Sequence, residues 1–394
     1  MSNVHGPYVA ALDGLRGAAI AGVLLFHTGN LAGGFLGVDL FFALSGYLIT
    51  GLLLREIDET GGVSLCSFWG RRIRRLMPAL ALMLGSVTVL VWARAPADLV
   101  RSTLADGPWV QVNLVNWHLL ADSAGYWDRF GAARVFEHLW SIAVEEQFYL
   151  VWPVTVWFVA RWGRRPDRWI AAVALVLSVL SVALMALLVD PADPTRVYTG
   201  TDTRAFSLLI GALAATTPVR DRLGRLVAGR WAGAAALVLA AGIAAMWALA
   251  DGMASAWLFT GGLFAHSVAS TALIGLCVHR PASVPARILS AWPVRWLGQL
   301  SYSLYLWHWP VVVLLSPDRT GLGGWWWTGL VCGVSVALAA LSKYLVEDPI
   351  RFRVRWARGR RGVLAFGAVT ALLVLLWTAL PAPPAPAVDV TELD

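Results

Sequence analysis

The chain has 394 residues, of which 58% are hydrophobic and only 14% charged, with a mean hydropathy of +0.66 and a net charge of +7. A soluble globular chain sits nearer half apolar and a quarter charged, so this composition excludes an ordinary soluble enzyme. The positive charge does not signal nucleic acid, because it is distributed as a topology signal.

Apolar runs of about 20 residues recur from end to end and read as an all-α, polytopic membrane bundle. Spans are expected at roughly 9–28, 35–54, 76–93, 138–160, 168–189, 203–217, 231–250, 256–278, 297–315, 323–346 and 362–380. Between them, arginine content alternates. One set of loops holds Arg55, "RRIRR" (71–75), "RWGRRPDR" (161–168), "RDRLGRLVAGR" (220–230), Arg280, Arg287, Arg295 and "RFRVRWARGRR" (351–361), which is 22 of the 31 basic residues. The other set holds only Arg94, Arg101, Arg129, Arg134, Arg196 and Arg319. The positive-inside rule puts the first set, and with it the N-terminus, in the cytoplasm; eleven spans then leave the C-terminus outside. The first run has no basic n-region and carries internal charges, so it reads as a retained span rather than a signal peptide. Cys66, Cys277 and Cys332 show no paired or metal-like spacing and read as buried, inert thiols.

The first span, "LDGLRGAAIAGVLLFH" (12–27), carries Asp13, Arg16 and His27. Eleven residues at about 100° each make roughly three turns, so Arg16 and His27 share a face, about 16 Å apart along the axis. Ionisable groups in a span are expensive unless they face a partner or a cavity. An Asp13–Arg16 pair and an interfacial His27 are the bland alternative. The second span, "GGFLGVDLFFALSGYLIT" (33–50), buries Asp39 behind glycines that permit close helix approach. Residues 94–137 are too polar to span and are expected outside. In "EHLWSIAVEEQFYLVWP" (137–153), His138, Ser141 and Glu145 form one stripe, and Glu146 points some 80° away from His138.

Further on, Arg204, Ser207 and Gly211 share a face, although Arg204 could also snorkel to the interface. In "LGQLSYSLYLWHWPVVVL" (297–314), Ser301, Tyr305 and His308 align ahead of Pro310, which is expected to kink the helix. Lys343 and Glu347 can pair at i, i+4. "PAPPAPAVDVTELD" (381–394) reads as an extended outer tail or linker. No Cys/His metal spacing, Walker loop or dinucleotide fingerprint appears, so no metal and no permanently bound cofactor are expected.

Six collinear pieces, "RGAAIAGVLLFH", "GVDLFFALSGYLIT", "FWGRRIRRLMPAL", "HLWSIAVEEQFYLVWP", "LGQLSYSLYLWHWP" and "VEDPIRFR", resemble the acyltransferase-3 family of bacterial membrane O-acyltransferases over about residues 8–355. The resemblance implies a ten-helix membrane domain, here 1–355, followed by an eleventh helix at 356–380 and the tail at 381–394. Some members continue into an outer esterase-like domain; the present chain looks like a natural short form without it or a fragment of a longer chain. The resemblance also implies transfer of an acyl group, chiefly acetyl, from cytoplasmic acyl-CoA to a hydroxyl, often on an envelope polysaccharide. In another branch the acceptor is a macrolide or other small metabolite. Arg16 and His27 carry the family's essential pair, and its acidic position falls on Glu145 or Glu146.

From these pieces, CoA phosphates are expected at Arg16 and at a loop of Arg71, Arg72, Arg74 and Arg75, because guanidinium stays charged and offers a donor fork. His27 would act as general base, partnered by Glu145 or Asp39. Arg204, His138, Ser141, Glu146, Ser301, Tyr305 and His308 are the remaining substrate-binding candidates. Direct transfer is preferred over an acyl-enzyme on Ser301 or Ser141. The partners are then acyl-CoA as co-substrate, a glycan or small-molecule hydroxyl, and membrane lipid, with no nucleic acid. A glycan or lipid transporter and a non-catalytic scaffold are the rival classes, separated by thioester consumption.

Overall fold

A computed structural model describes residues 8–122, 126–127, 134–226, 229, 231–252, 254–354, 356–357 and 359–384. Arg129, Arg230, Arg355, Arg358 and the tail from 385 onward lie outside the described residues. Helix makes up 83% of the structure, with no strand among the described residues.

In chain order the helices are α1 Ala10–His27, α2 Gly37–Thr60, α3 Leu65–Arg94, α4 Ala97–Gln111, α5 Val115–Ala121, α6 Trp140–Trp162, α7 Pro166–Leu188, α8 Thr195–Thr199, α9 Thr201–Ala215, α10 Thr217–Leu226, α11 Ala232–Leu249, α12 Gly262–His279, α13 Val284–Leu289, α14 Trp292–Leu314, α15 Pro317–Thr320, α16 Gly324–Ser342 and α17 Gly359–Ala379. Eight helical stretches among the described residues are long and apolar enough to cross a membrane. Three expected spans fall short of that measure and coincide with α6, α9 and α14. These three carry Glu145 and Glu146, Arg204, and the Ser301–His308 face respectively, and α9 has only 15 residues. Polar side chains lower their hydropathy because they face the bundle interior instead of lipid.

Small residues set which helices touch. A Cβ added at Gly298 on α14 would lie 1.7 Å from the Asp13 carbonyl oxygen on α1, and one at Gly17 would lie 2.1 Å from the Val294 carbonyl oxygen. The backbones of α1 and α14 therefore meet directly, which brings the far ends of both helices, at His27 and His308, side by side.

Prolines inside α6 and α14 release carbonyls that side chains then take. Pro310 has no N–H for the Leu306 carbonyl four residues back, and His138 Nε2 donates to that carbonyl at 3.2 Å. Pro153 likewise leaves the Tyr149 carbonyl free, and Trp69 Nε1 donates to it at 3.0 Å. Inside a bilayer a freed backbone acceptor needs such a partner.

Three local expectations are corrected. Cys66, in the first turn of α3, is exposed instead of buried, and of the three thiols only Cys277 is fully buried. "RRIRR" is not a loop: it lies on α3, where 71–77 (RRIRRLM) is a run of helix formers that carries the helix past Gly70 and on through Pro78. The Lys343–Glu347 pair does not form. The chain widens into π turns at Lys343–Glu347 and Pro349–Arg353, so Lys343 Nζ reaches five residues on to Asp348 Oδ1 at 3.1 Å. Glu347 turns inward and accepts from Ser303 Oγ at 3.1 Å. The polar stretch 94–137 contains α4 and α5 and packs onto the bundle beside α3 and α6.

Candidate active site

At one end of the bundle, a vestibule of about 400 Å³ is lined by Arg16, Arg55, Arg71, Arg72, Arg74, Arg75 and Arg351, with Ser45, Phe68, Tyr149 and apolar residues of α2. No carboxylate lines it. Its arginines come from α1, α2, α3 and the π-helical turn after α16, which converge there. Arg72 is stacked 4.0 Å over the Tyr149 ring, and Arg71 holds Glu56 at 3.3 Å on the outer rim. Glu146 lies in the field of Arg72 and Arg75. A ring of cations with no carboxylate in its lining suits a polyphosphate.

A narrower slot of about 40 Å³ adjoins it, and Arg16 lines both spaces. The slot is walled by Val38, Phe41 and Phe42 of α2, Ser141, Ile142 and Glu145 of α6, and Ser301, Tyr302 and Tyr305 of α14. The two polar stripes expected on α6 and α14 therefore face each other. Ser141 Oγ and Tyr305 OH are 2.7 Å apart, and Tyr305 OH donates to the His138 carbonyl at 2.9 Å. The tyrosine proton is thus committed, and Ser141 is the donor within the pair.

Beyond the slot the histidines gather. His27 Nδ1 lies 3.0 Å from His308 Nε2, and His308 Nδ1 lies 2.7 Å from the Tyr305 carbonyl. Trp309 packs on His27 with ring centroids 4.7 Å apart, and His138 packs edge-on to His308 at 5.2 Å. Arg16 and His27 share a face of α1, but His27 does not line either cavity.

The expected carboxylate partners of His27 are engaged elsewhere. Glu145 Oε1 accepts from Ser45 and Tyr149. Asp39 and Arg204, both fully buried, form an ion pair at 2.8 Å that joins α2 to α9. Ser207 adds a hydrogen bond to Asp39 at 2.9 Å, and Tyr198 lies 4.9 Å under the guanidinium. A buried charge is kept where its counter-charge is buried with it, so these two hold each other instead of reaching His27 or snorkelling. Nor do Asp13 and Arg16 pair: Asp13 accepts from Tyr8 OH at 2.6 Å.

Sequence reasoning missed a polar knot at the histidine end. Arg134 donates to Asp106 Oδ1 at 2.7 Å and to Asp122 Oδ2 at 3.0 Å, while His118 Nε2 lies 3.1 Å from Asp106. Burial pushes the Asp106 carboxyl up, against the opposing pull of Arg134 and His118. Asp106, His118 and Asp122 could converge on a cation, but Arg134 already supplies the positive charge there. The Arg134 carbonyl accepts from Trp309 Nε1 at 2.8 Å, which ties this knot to the wall of the His27 site. His118 and Asp122 are an i, i+4 pair, 3.5 Å apart, but their links to Asp106 and Arg134 span 12 to 28 residues, which local periodicity does not mark.

An arginine-lined chamber, a narrow slot and the His27–His308 pair thus follow one another along α1 and α14. A family profile described as an acyltransferase domain matches residues 9–344. The chain is 39% identical over 354 residues to YrhL of Bacillus subtilis, covering 88% of this chain and 55% of that protein. It is 35% identical over 352 residues to the peptidoglycan O-acetyltransferase OatA of Listeria monocytogenes, covering 87% and 56%. It is also 35% identical over 321 residues to the O-acetyltransferase OatA of Staphylococcus aureus, covering 80% and 53%. The chain thus spans about half the length of the curated relatives it matches. No solved structure matches it. With one acyltransferase profile covering all but the ends, and with relatives this close, the chain belongs to the acyltransferase-3 family.

Proposed function

We propose that this protein is an integral membrane O-acetyltransferase that moves an acetyl group from cytoplasmic acetyl-CoA to a hydroxyl of peptidoglycan or a related envelope glycan. The placement of Arg16 carries the reading: one guanidinium lines both the arginine-ringed vestibule and the slot, on the helix face that ends in His27. The names of the Listeria and Staphylococcus relatives support acetyl transfer, the Listeria name adds peptidoglycan as acceptor, and the arginine alternation supports a cytoplasmic vestibule.

The CoA phosphates bind the vestibule arginines. The pantetheine arm threads the slot, a rise of about 16 Å from Arg16 to His27, and delivers the thioester to the histidine end. His27 takes the proton from the acceptor hydroxyl as its oxygen forms a bond to the thioester carbonyl carbon. The carbon–sulfur bond then breaks, and the leaving thiolate collects the proton from His27. Binding chamber and base lie at opposite ends of one helix, which suits a donor and an acceptor that approach from opposite sides of the membrane.

The test is turnover by protein in lipid nanodiscs, with labelled acetyl-CoA and the disaccharide N-acetylglucosaminyl-N-acetylmuramic acid as acceptor. His27→Ala is expected to lower turnover at least about 100-fold, the scale of a lost general base. Undiminished turnover would remove His27 from the chemistry.

A further inference from the structure

We propose that His308 is the positioning residue that fixes the tautomer of His27, in the place where a carboxylate was expected. The inference rests on the acyl-transfer reading above, and it assigns a role that Glu145 and Asp39 do not fill.

The argument follows the protons from a fixed point. The Tyr305 carbonyl can only accept, so His308 Nδ1, 2.7 Å away, carries a hydrogen. A neutral imidazole carries one hydrogen, so His308 Nε2 has a bare lone pair. That nitrogen lies 3.0 Å from His27 Nδ1, which must then be the donor. His27 is left with its hydrogen on Nδ1 and its lone pair on Nε2. The Tyr305 carbonyl thus acts, through two rings, on which nitrogen of His27 is the base, alongside the Val23 backbone one turn back on α1, which also hydrogen-bonds the His27 ring.

The choice of imidazole over carboxylate has a physical reason. His308 is completely buried, on a helix that packs directly against α1. A carboxylate there would add an ionised group that must be desolvated. A neutral ring supplies the same acceptor lone pair without a charge. When His27 takes the acceptor's proton it becomes an imidazolium donating to His308, and no proton needs to pass further. The proton stays on His27 until the thiolate collects it, so His308 ends each cycle as it began.

The ring of His308 is itself held. Tyr305 anchors Nδ1 from the preceding turn, and the His138 ring packs edge-on against it. His138 is fixed in turn by the carbonyl that Pro310 releases. Wrong-tautomer variants of Ser-His-Asp enzymes show that such a partner governs turnover far more than substrate binding.

Two measurements test this. In nanodiscs with acetyl-CoA and the disaccharide, His308→Leu is expected to lower kcat roughly 10- to 100-fold with the KM for acetyl-CoA within about twofold of wild type. His308→Gln, whose amide oxygen can still accept from His27, is expected to recover most of that loss. Full kcat in His308→Leu, or a Gln variant no better than Leu, overturns the proposal. Absence of acetyl transfer by the wild-type protein would instead overturn the acyl-transfer reading. The second measurement needs no turnover and no folded variant: ¹⁵N-histidine spectra of the wild-type protein in nanodiscs. A protonated Nδ1 and bare Nε2 on His27 are expected; the reverse tautomer overturns the proposal.

Discussion

Among individual residues, Arg16 is the most informative. It makes no ion pair or side-chain hydrogen bond among the described residues, although its neighbours on α1 are packed against α14 and α2. A guanidinium without a partner, bordering two adjoining spaces, suits an anion from outside the chain. Arg16→Ala is therefore expected to raise the KM for acetyl-CoA about 10- to 100-fold, the scale of a lost hydrogen bond to a charged group, while kcat at saturation changes much less. Arg16→Lys is expected to restore part of the affinity, because it keeps the charge and loses the fork. Steady-state kinetics over a range of acetyl-CoA concentrations measure both. An unchanged KM in the alanine variant would leave Arg16 with a structural role only.

Among the helices, α14 shows how a proline can be used without a break. It continues from Trp292 to Leu314 with Pro310 inside it, and the unmade hydrogen bond becomes a socket for His138. Pro310→Ala would supply an N–H that competes for the Leu306 carbonyl. His138 then loses its anchor and its packing against His308 loosens. Turnover is expected to fall about fivefold, corresponding to roughly 1 kcal/mol, with helicity by circular dichroism unchanged. Equal turnover in wild type and variant would mean the socket has no part in aligning the histidines. Trp69 and the Tyr149 carbonyl repeat the device on α6, next to the vestibule.

For the molecule as a whole, the vestibule joins seven arginines from four parts of the chain without a carboxylate among its lining residues. Donor binding is thus expected to weaken with salt, because the Debye length shrinks from about 10 Å at 0.1 M to about 3 Å at 1 M. The KM for acetyl-CoA, measured between those limits, is expected to rise while kcat holds. A flat KM would take the vestibule out of the donor's path. Much of this layout was legible beforehand. Hydropathy located the helices, and helical spacing alone put Arg16 with His27, His138 with Ser141, and Ser301 with Tyr305 and His308. What periodicity does not carry is partnership across helices: that Asp39 answers Arg204, that Ser141 meets Tyr305, and that His27 leans on a second histidine 281 positions away. It also does not register backbone irregularity, so the π turn that sends Lys343 to Asp348 was read as an ordinary helical pair.

The Asp39–Arg204 bridge also bears on how the bundle is made. Its two halves are synthesised 165 residues apart. Asp39 sits in the first turn of α2 and is fully buried in the finished bundle. It cannot settle into the bundle until α9 arrives with the neutralising cation. Early helices must therefore wait, loosely gathered, for a later one. A nascent chain ending at residue 195 is expected to leave Val38→Cys open to a water-soluble maleimide, whereas the same cysteine in the finished protein is shielded. Shielding in the shortened chain would show that the first seven helices close without their ninth.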